Sequence, residues 1–307
     1  MSQNRSLPFG LVIICLLGLG AVLYYFINQL SSEMPAPVPA QAAGATLHAA
    51  AETGDTAAID AQLKQHVPVD QPRDTAGGRK GETPLMAAST NGKAAAVRAL
   101  LKAGAQPNAR SSDGKTALMF AAGWGDLETV RALLDSSARV NDRSEERLTA
   151  LMLAAGRGQA ESVQALIDAG ADVNAKNKWG QTALMAAAKT GDAVKVRALL
   201  AAGATANDVD LDGMTALNFA SAVEGSTGAL EALIAAKADV NTADSEGVTP
   251  LMRAADKGDA DKVMLLLNGG AKAATADKQG RKASDWAKTR DDDAGRKVAQ
   301  MLEEAGR

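Results

Sequence analysis

Thr83, Thr116, Thr149, Thr182 and Thr215 stand 33 residues apart, and Thr249 follows after 34. A period of this length marks a chain built by stacking one small unit, because a unit of that size cannot bury its apolar face alone. Each threonine has a leucine two residues on: Leu85, Leu118, Leu151, Leu184, Leu217 and Leu251. Nine residues past the threonine comes a glycine in five of the six units: Gly92, Gly125, Gly158, Gly191 and Gly258. This pattern predicts a short helix whose first turn is capped by the threonine hydroxyl and which a glycine ends. Pro84 and Pro250 occupy the first helical position, where a missing N–H costs nothing.

A second helix follows in each unit, with apolar residues at helical spacing such as Val97, Leu100 and Leu101, or Val196, Leu199 and Leu200. It ends at Gly104, Gly170, Gly203 and Gly270, and a polar turn with Asn108, Asn141, Asn174, Asn207 or Asn241 closes the unit. Apolar residues make up 46% of the chain and aromatics only 3%, with alanine dominant. That mixture suits slender, closely packed helices.

These residues resemble the ankyrin-repeat signature of threonine, proline, leucine, histidine, any residue and alanine, over about residues 45–307. The resemblance implies an all-α repeat solenoid of helix–turn–helix units with β-turn tips, about eight repeats in all. The first, around Leu47, His48, Ala50 and Gly54, has Ala45 where threonine belongs; the last, around Ala283, Asp285, Trp286 and Ala287, is degenerate. Both read as end caps, and Asp291 to Asp293 read as the cap of the final helix. Met86, Met119, Met152, Met185 and Met252 replace the signature histidine, which implies apolar packing in place of its hydrogen bonds. Arg147 occupies a turn position that is glycine elsewhere, so a distorted turn is expected there. Extra residues over 71–81 read as a longer, mobile, basic finger.

The chain opens differently. From Pro8 to Ile27 there are twenty residues without a charge, about 30 Å of helix at about 1.5 Å per residue. This predicts a transmembrane signal-anchor helix over residues 8–30, after a tail of residues 1–7 and before a Pro-rich linker over 31–44. Arg5 precedes the run and the next basic residue after it is Lys64, which places the tail in the cytoplasm and the repeats outside. The alanine-rich repeats, free of glycosylation sequons, point to a bacterial source and hence to the inner membrane, with the repeats in the periplasm.

With 33 basic and 36 acidic residues the chain lacks the one-signed field that nucleic-acid binding requires. Cys15 is the only cysteine and His48 and His66 are the only histidines, so neither a zinc site nor a histidine-based triad is expected. Gly114-Lys115-Thr116 imitates the end of a phosphate loop, but Ala109 stands where its first glycine belongs. No enzyme activity, cofactor or metal is therefore expected.

The resemblance implies a protein partner bound by the turn tips and the exposed part of each first helix. On that register the candidate binding residues are Trp124, Leu148, Arg157, Trp179, Leu211 and Met214, an apolar and cationic patch across the third to sixth repeats. Tryptophan and arginine are common interface anchors. The expected function is a non-catalytic scaffold that is tethered to the lipid bilayer through residues 8–30 and binds or protects a partner in the periplasm. A cytoplasmic adaptor with the anchor inverted, and a released effector or enzyme regulator, are the alternatives.

Overall fold

The computed structural model describes residues 46–74, 80–225 and 227–306. The expected tail, anchor and linker over 1–44, and the middle of the basic finger at 75–79, lie outside the described residues. Among the described residues no helix is long and apolar enough to cross a membrane.

Sixteen helices are described, in eight pairs. The first helices are α1 (Leu47–Thr53), α3 (Pro84–Thr90), α5 (Ala117–Trp124), α7 (Ala150–Gly156), α9 (Ala183–Thr190), α11 (Ala216–Ala222), α13 (Pro250–Asp256) and α15 (Ala283–Lys288). The second helices are α2 (Thr56–Lys64), α4 (Ala94–Lys102), α6 (Leu127–Asp135), α8 (Ala160–Asp168), α10 (Ala193–Ala201), α12 (Gly228–Ala235), α14 (Ala260–Asn268) and α16 (Asp293–Ala305). Among the described residues the only β pairing is two isolated bridges.

All the described helices but the last have six to nine residues, too few to persist alone, so caps and packing set their ends. Each repeat threonine accepts a hydrogen bond from the N–H three residues on, as Thr149 does from Met152 at 3.3 Å and Thr182 from Met185 at 3.4 Å. In the first repeat the cap falls to Thr46, one residue after Ala45, and Thr46 accepts from Ala49 at 3.2 Å. Met86, Met119, Met152, Met185 and Met252 are buried, but their packing is not purely apolar. Met86 and Met252 turn their sulfurs to the N–H of Thr83 and Thr249 at 3.5 and 3.4 Å. Asn218 completes the same reciprocal box with a full hydrogen bond from Thr215 N–H at 2.9 Å. Asp126, Asp192 and Asp259 cap second helices, and Asp292 caps the last.

The core is a single continuous column in which the Leu of each first helix meets the Val and Leu of each second helix. Polar bonds clamp one repeat to the next. The Asn174 amide donates to Gly203 O at 3.1 Å and accepts from Thr205 N–H at 2.9 Å, bridging 29 and 31 residues. Asn108, Asn141 and Asn241 make the same pair of bonds. Asp70 stands in for asparagine in the first repeat, taking the N–H of Gln106. A second ladder joins the tips: Glu145 N–H donates to Asp113 O, Lys178 to Glu146, Leu211 to Trp179, Ser245 to Asp212 and Lys278 to Glu246, all at 2.8–3.1 Å. Gly158 is required by the stacking, since a Cβ there would lie 2.1 Å from Ala122 O of the preceding repeat.

Arg147 adopts φ +60° without distorting its turn. Its N–H bonds Ser144 O at 2.8 Å, the distance from Gly114 to Ser111 in the preceding repeat. The turn's own bonds and the tip ladder hold the left-handed backbone in place. The base of the long first tip is pinned likewise. Arg73 and Glu82 exchange both backbone bonds at 2.9 and 3.0 Å, and the Arg73 guanidinium pairs with the buried Glu82 carboxylate and with Glu52. Buried His48 places Nε2 2.9 Å from Glu82 O. At the other end Trp286 donates to Asp277 at 3.0 Å beneath the Arg281 guanidinium, which closes the column.

Two predictions follow from local strain and burial. Arg147→Gly relieves a left-handed side-chain penalty and should raise stability by about 1 kcal/mol, read as a higher urea midpoint at unchanged slope. Burial lowers the pKa of His48 below its ordinary 6.5, against the opposing hydrogen bond to Glu82. The folded chain then binds fewer protons than the unfolded one, so His48's contribution is complete above pH 6.5 and is lost as pH falls from there to its folded value. His48→Gln should flatten that part of the stability profile.

Candidate functional site

The first helices and the tips meet along one side of the column. Arg253 of α13 reaches the tip carboxylate of Asp244, and its guanidinium lies 3.7 Å from the sulfur of Met214 in the preceding tip. The six candidate residues are distributed along this side.

Trp124 ends α5, and Arg157 follows the end of α7 one repeat later in the same register. The Arg157 guanidinium stands 4.8 Å from the Trp124 ring centroid, and the buried Phe120 ring lies 6.1 Å away on the same helix. Trp124 is thus half-buried, its body against the core and its face under a cation. Leu148 and Met214 precede the capping threonines and lie half-buried against the core. Ser144 and Asp210 lock their backbones, accepting the N–H of Leu148 at 3.1 Å and of Met214 at 2.9 Å. Trp179 and Leu211 sit on adjacent tips joined by the 2.9 Å bond from Leu211 N–H to Trp179 O. Leu211 is 75% exposed, the most open large apolar side chain among the described residues.

The six therefore contain two adjoining pairs, Trp124 with Arg157 and Trp179 with Leu211, and two shelf residues at the helix entries. Sequence register alone missed three contributors, Phe120, Arg253 and Asp210. Phe120 supports Trp124 from beneath, and Arg253 flanks Met214. The Asp210 carboxylate favours the charged form of Lys189 by Coulomb attraction. Burial pushes the Lys189 ammonium below its ordinary range, and burial also raises Asp210, against the hydrogen bonds it accepts from Met214, Gln181 and Asp212. Phe120 and Arg253 share one register position, four residues past the capping threonine, and that shared position was the available signal.

Gly123 and Gly156 lie within or at the end of α5 and α7, beside Trp124 and Arg157. Glycine there costs roughly 1 kcal/mol relative to alanine. Packing does not require it. A Cβ on Gly123 would sit 3.5 Å from Leu153 Cβ, and one on Gly156 3.7 Å from Ala186 Cβ, both ordinary contacts. Both glycines therefore sit beside the Trp124–Arg157 pair at positions where alanine would also fit. Cations recur along it: Lys115, held by Asp113 at 2.8 Å, Arg157, Lys189, and Lys257, 3.6 Å from Asp256. Among the described residues no three His, Cys, Asp or Glu side chains come together in a way that could hold a metal.

A stack of short helix pairs with an open, partly apolar face is an interaction array, a class of protein that works by docking other proteins. The family model for ankyrin repeats (3 copies) matches residues 47–144, 151–244 and 221–305, and the chain belongs to the ankyrin-repeat family. That family is generally a non-catalytic interaction module, so the chain is a protein–protein interaction scaffold. No curated protein matches the chain.

Because the Arg157 guanidinium lies over the Trp124 ring, Arg157→Gln should shift the intrinsic emission of the parent chain and leave that of a Trp124→Phe background unchanged. The stability cost should be about 0.5–1 kcal/mol, the range for a partly exposed cation–π pair.

Proposed function

We propose that the chain is a membrane-tethered scaffold whose third to sixth repeats hold or protect a partner protein on the periplasmic side of the cytoplasmic membrane. The observation that carries the binding site is the Trp124–Arg157 pair beside two glycines that packing does not require. A half-buried aromatic under a guanidinium offers a partner both an apolar anchor and a charge. Lys115, Arg157, Lys189 and Lys257 along the same side favour a segment that carries carboxylates among apolar residues. A standard interface covers about 800 Å² per partner, which three or four repeats can present.

The tether rests on the sequence: a charge-free run from Pro8 to Ile27 and the basic residue Arg5 ahead of it. The Pro-rich linker after it would act as a spacer between bilayer and repeats.

Trp124→Ala combined with Trp179→Ala should abolish capture of the partner by in-cell crosslinking while the far-ultraviolet spectrum stays that of the parent; unchanged capture would exclude this face. Alkaline phosphatase fused after Arg307 should be active and a fluorescent protein at the same site dark. The opposite outcome would place the repeats in the cytoplasm and leave the binding face standing.

A further inference from the structure

Among the described residues, the sixth repeat shows neither the glycine stop directly after its first helix nor the aspartate cap on its second helix that the fifth repeat has. In the fifth repeat, Gly191 stops α9 at φ +71° and Asp192 caps α10 through two N–H groups. In the sixth, α11 ends at Val223 in extended backbone (φ −77°, ψ 137°). Helix α12 then begins with Gly228, and Thr227 ahead of it makes no side-chain cap bond. The last carbonyls of α11 consequently need partners from elsewhere.

Lys262 of α14, in the seventh repeat, supplies them. Its Nζ donates to Val223 O and, at 3.3 Å, to Ala220 O, and lies 3.7 Å from the carboxylate of Asp259, the residue that caps its own helix. The side chain is 0% exposed. A buried ammonium is tolerated only where hydrogen bonds and opposite charge replace its hydration, and here both carbonyl acceptors belong to another repeat while Asp259 supplies the charge. Burial pulls its pKa below the ordinary lysine value, and Asp259, followed by Glu224, opposes that pull. Lys195 occupies the same helical position in the fifth repeat and pairs with Asp192 at 3.4 Å. Among the described residues it donates to no carbonyl of the preceding repeat, where the usual glycine, Gly158, follows α7. The cross-repeat bond therefore belongs, among the described residues, to the repeat whose first helix ends at Val223 in extended backbone rather than directly at a left-handed glycine.

We propose that the array contains a conformational joint at the sixth repeat, latched by Lys262, so that residues 216–235 and 250–305 can open together while the preceding repeats stay folded. In a stacked array each repeat is held by its neighbours alone, so the weakest repeat sets where the column divides. The division falls beside the candidate face, at the point where Met214 meets Arg253.

Native-state hydrogen exchange on the full chain tests this. In the unaltered protein under mild urea, amides of 216–235 and 250–305 should share one opening step, separate from and easier than that of 84–201. Lys262→Met keeps the apolar stem and removes the ammonium. It should speed exchange in those two segments by roughly ten- to hundredfold, the range for buried acceptors left unbonded, and leave 84–201 unchanged. Lys195→Met should leave 216–305 as it was. A single opening step shared by all repeats in the unaltered chain would overturn the proposal even if Lys262→Met failed to fold. So would equal exchange in Lys262→Met and the parent, or the same loosening from Lys195→Met.

Discussion

Asn174 holds two repeats with one amide, donating to Gly203 O and accepting from Thr205 N–H. Everything else in the structure depends on bonds of this kind. Single helix pairs of this size bury too little to fold alone, so stability resides in the contacts between repeats. The asparagine clamps act at the loop that closes each second helix, and the backbone ladder from Lys80 O to Lys278 N–H acts at the tips. Between them each repeat has one orientation on its neighbour. That constraint places Trp124 and Arg157, residues of different repeats, within 4.8 Å.

Much of the fold was legible because its caps are local chemistry. A threonine hydroxyl that satisfies the N–H three residues on needs no tertiary partner, so the threonine spacing located the first helices directly. The departures from expectation arise where a distant atom decides. Arg147 was expected to distort its turn, yet hydrogen bonds within that turn and to the neighbouring tip hold the backbone at φ +60°. The first cap belongs to Thr46 because the first repeat starts its helix one residue later relative to the leucine. The asparagines stood out by position, but their reach into the next repeat is a property of the stack.

The candidate face was less legible. Register identified which residues share a side, and it put Trp124 and Arg157 in the same place in successive units. It said nothing of the distance between them, of Phe120 beneath, or of the approach of Arg253 to Met214. Lys262 was invisible for a related reason: a lysine in the first turn of a helix reads as solvated, and only the missing stop after α11 and the next repeat's position make it buried. Both features depend on contacts 33 to 42 residues apart in the chain.

Function follows from the same geometry. Clamps and ladders keep the first helices and tips aligned, and an aligned surface is what allows separate repeats to act on a single partner. The most direct test is site-specific photocrosslinking in intact cells, with the reactive side chain placed at Leu211 on the tips or at Val194 on second helix α10. Both side chains are exposed, so accessibility does not distinguish them. The account predicts a discrete protein adduct from position 211 and none from 194. Adducts from 194 alone, or in equal yield from both positions, would contradict it.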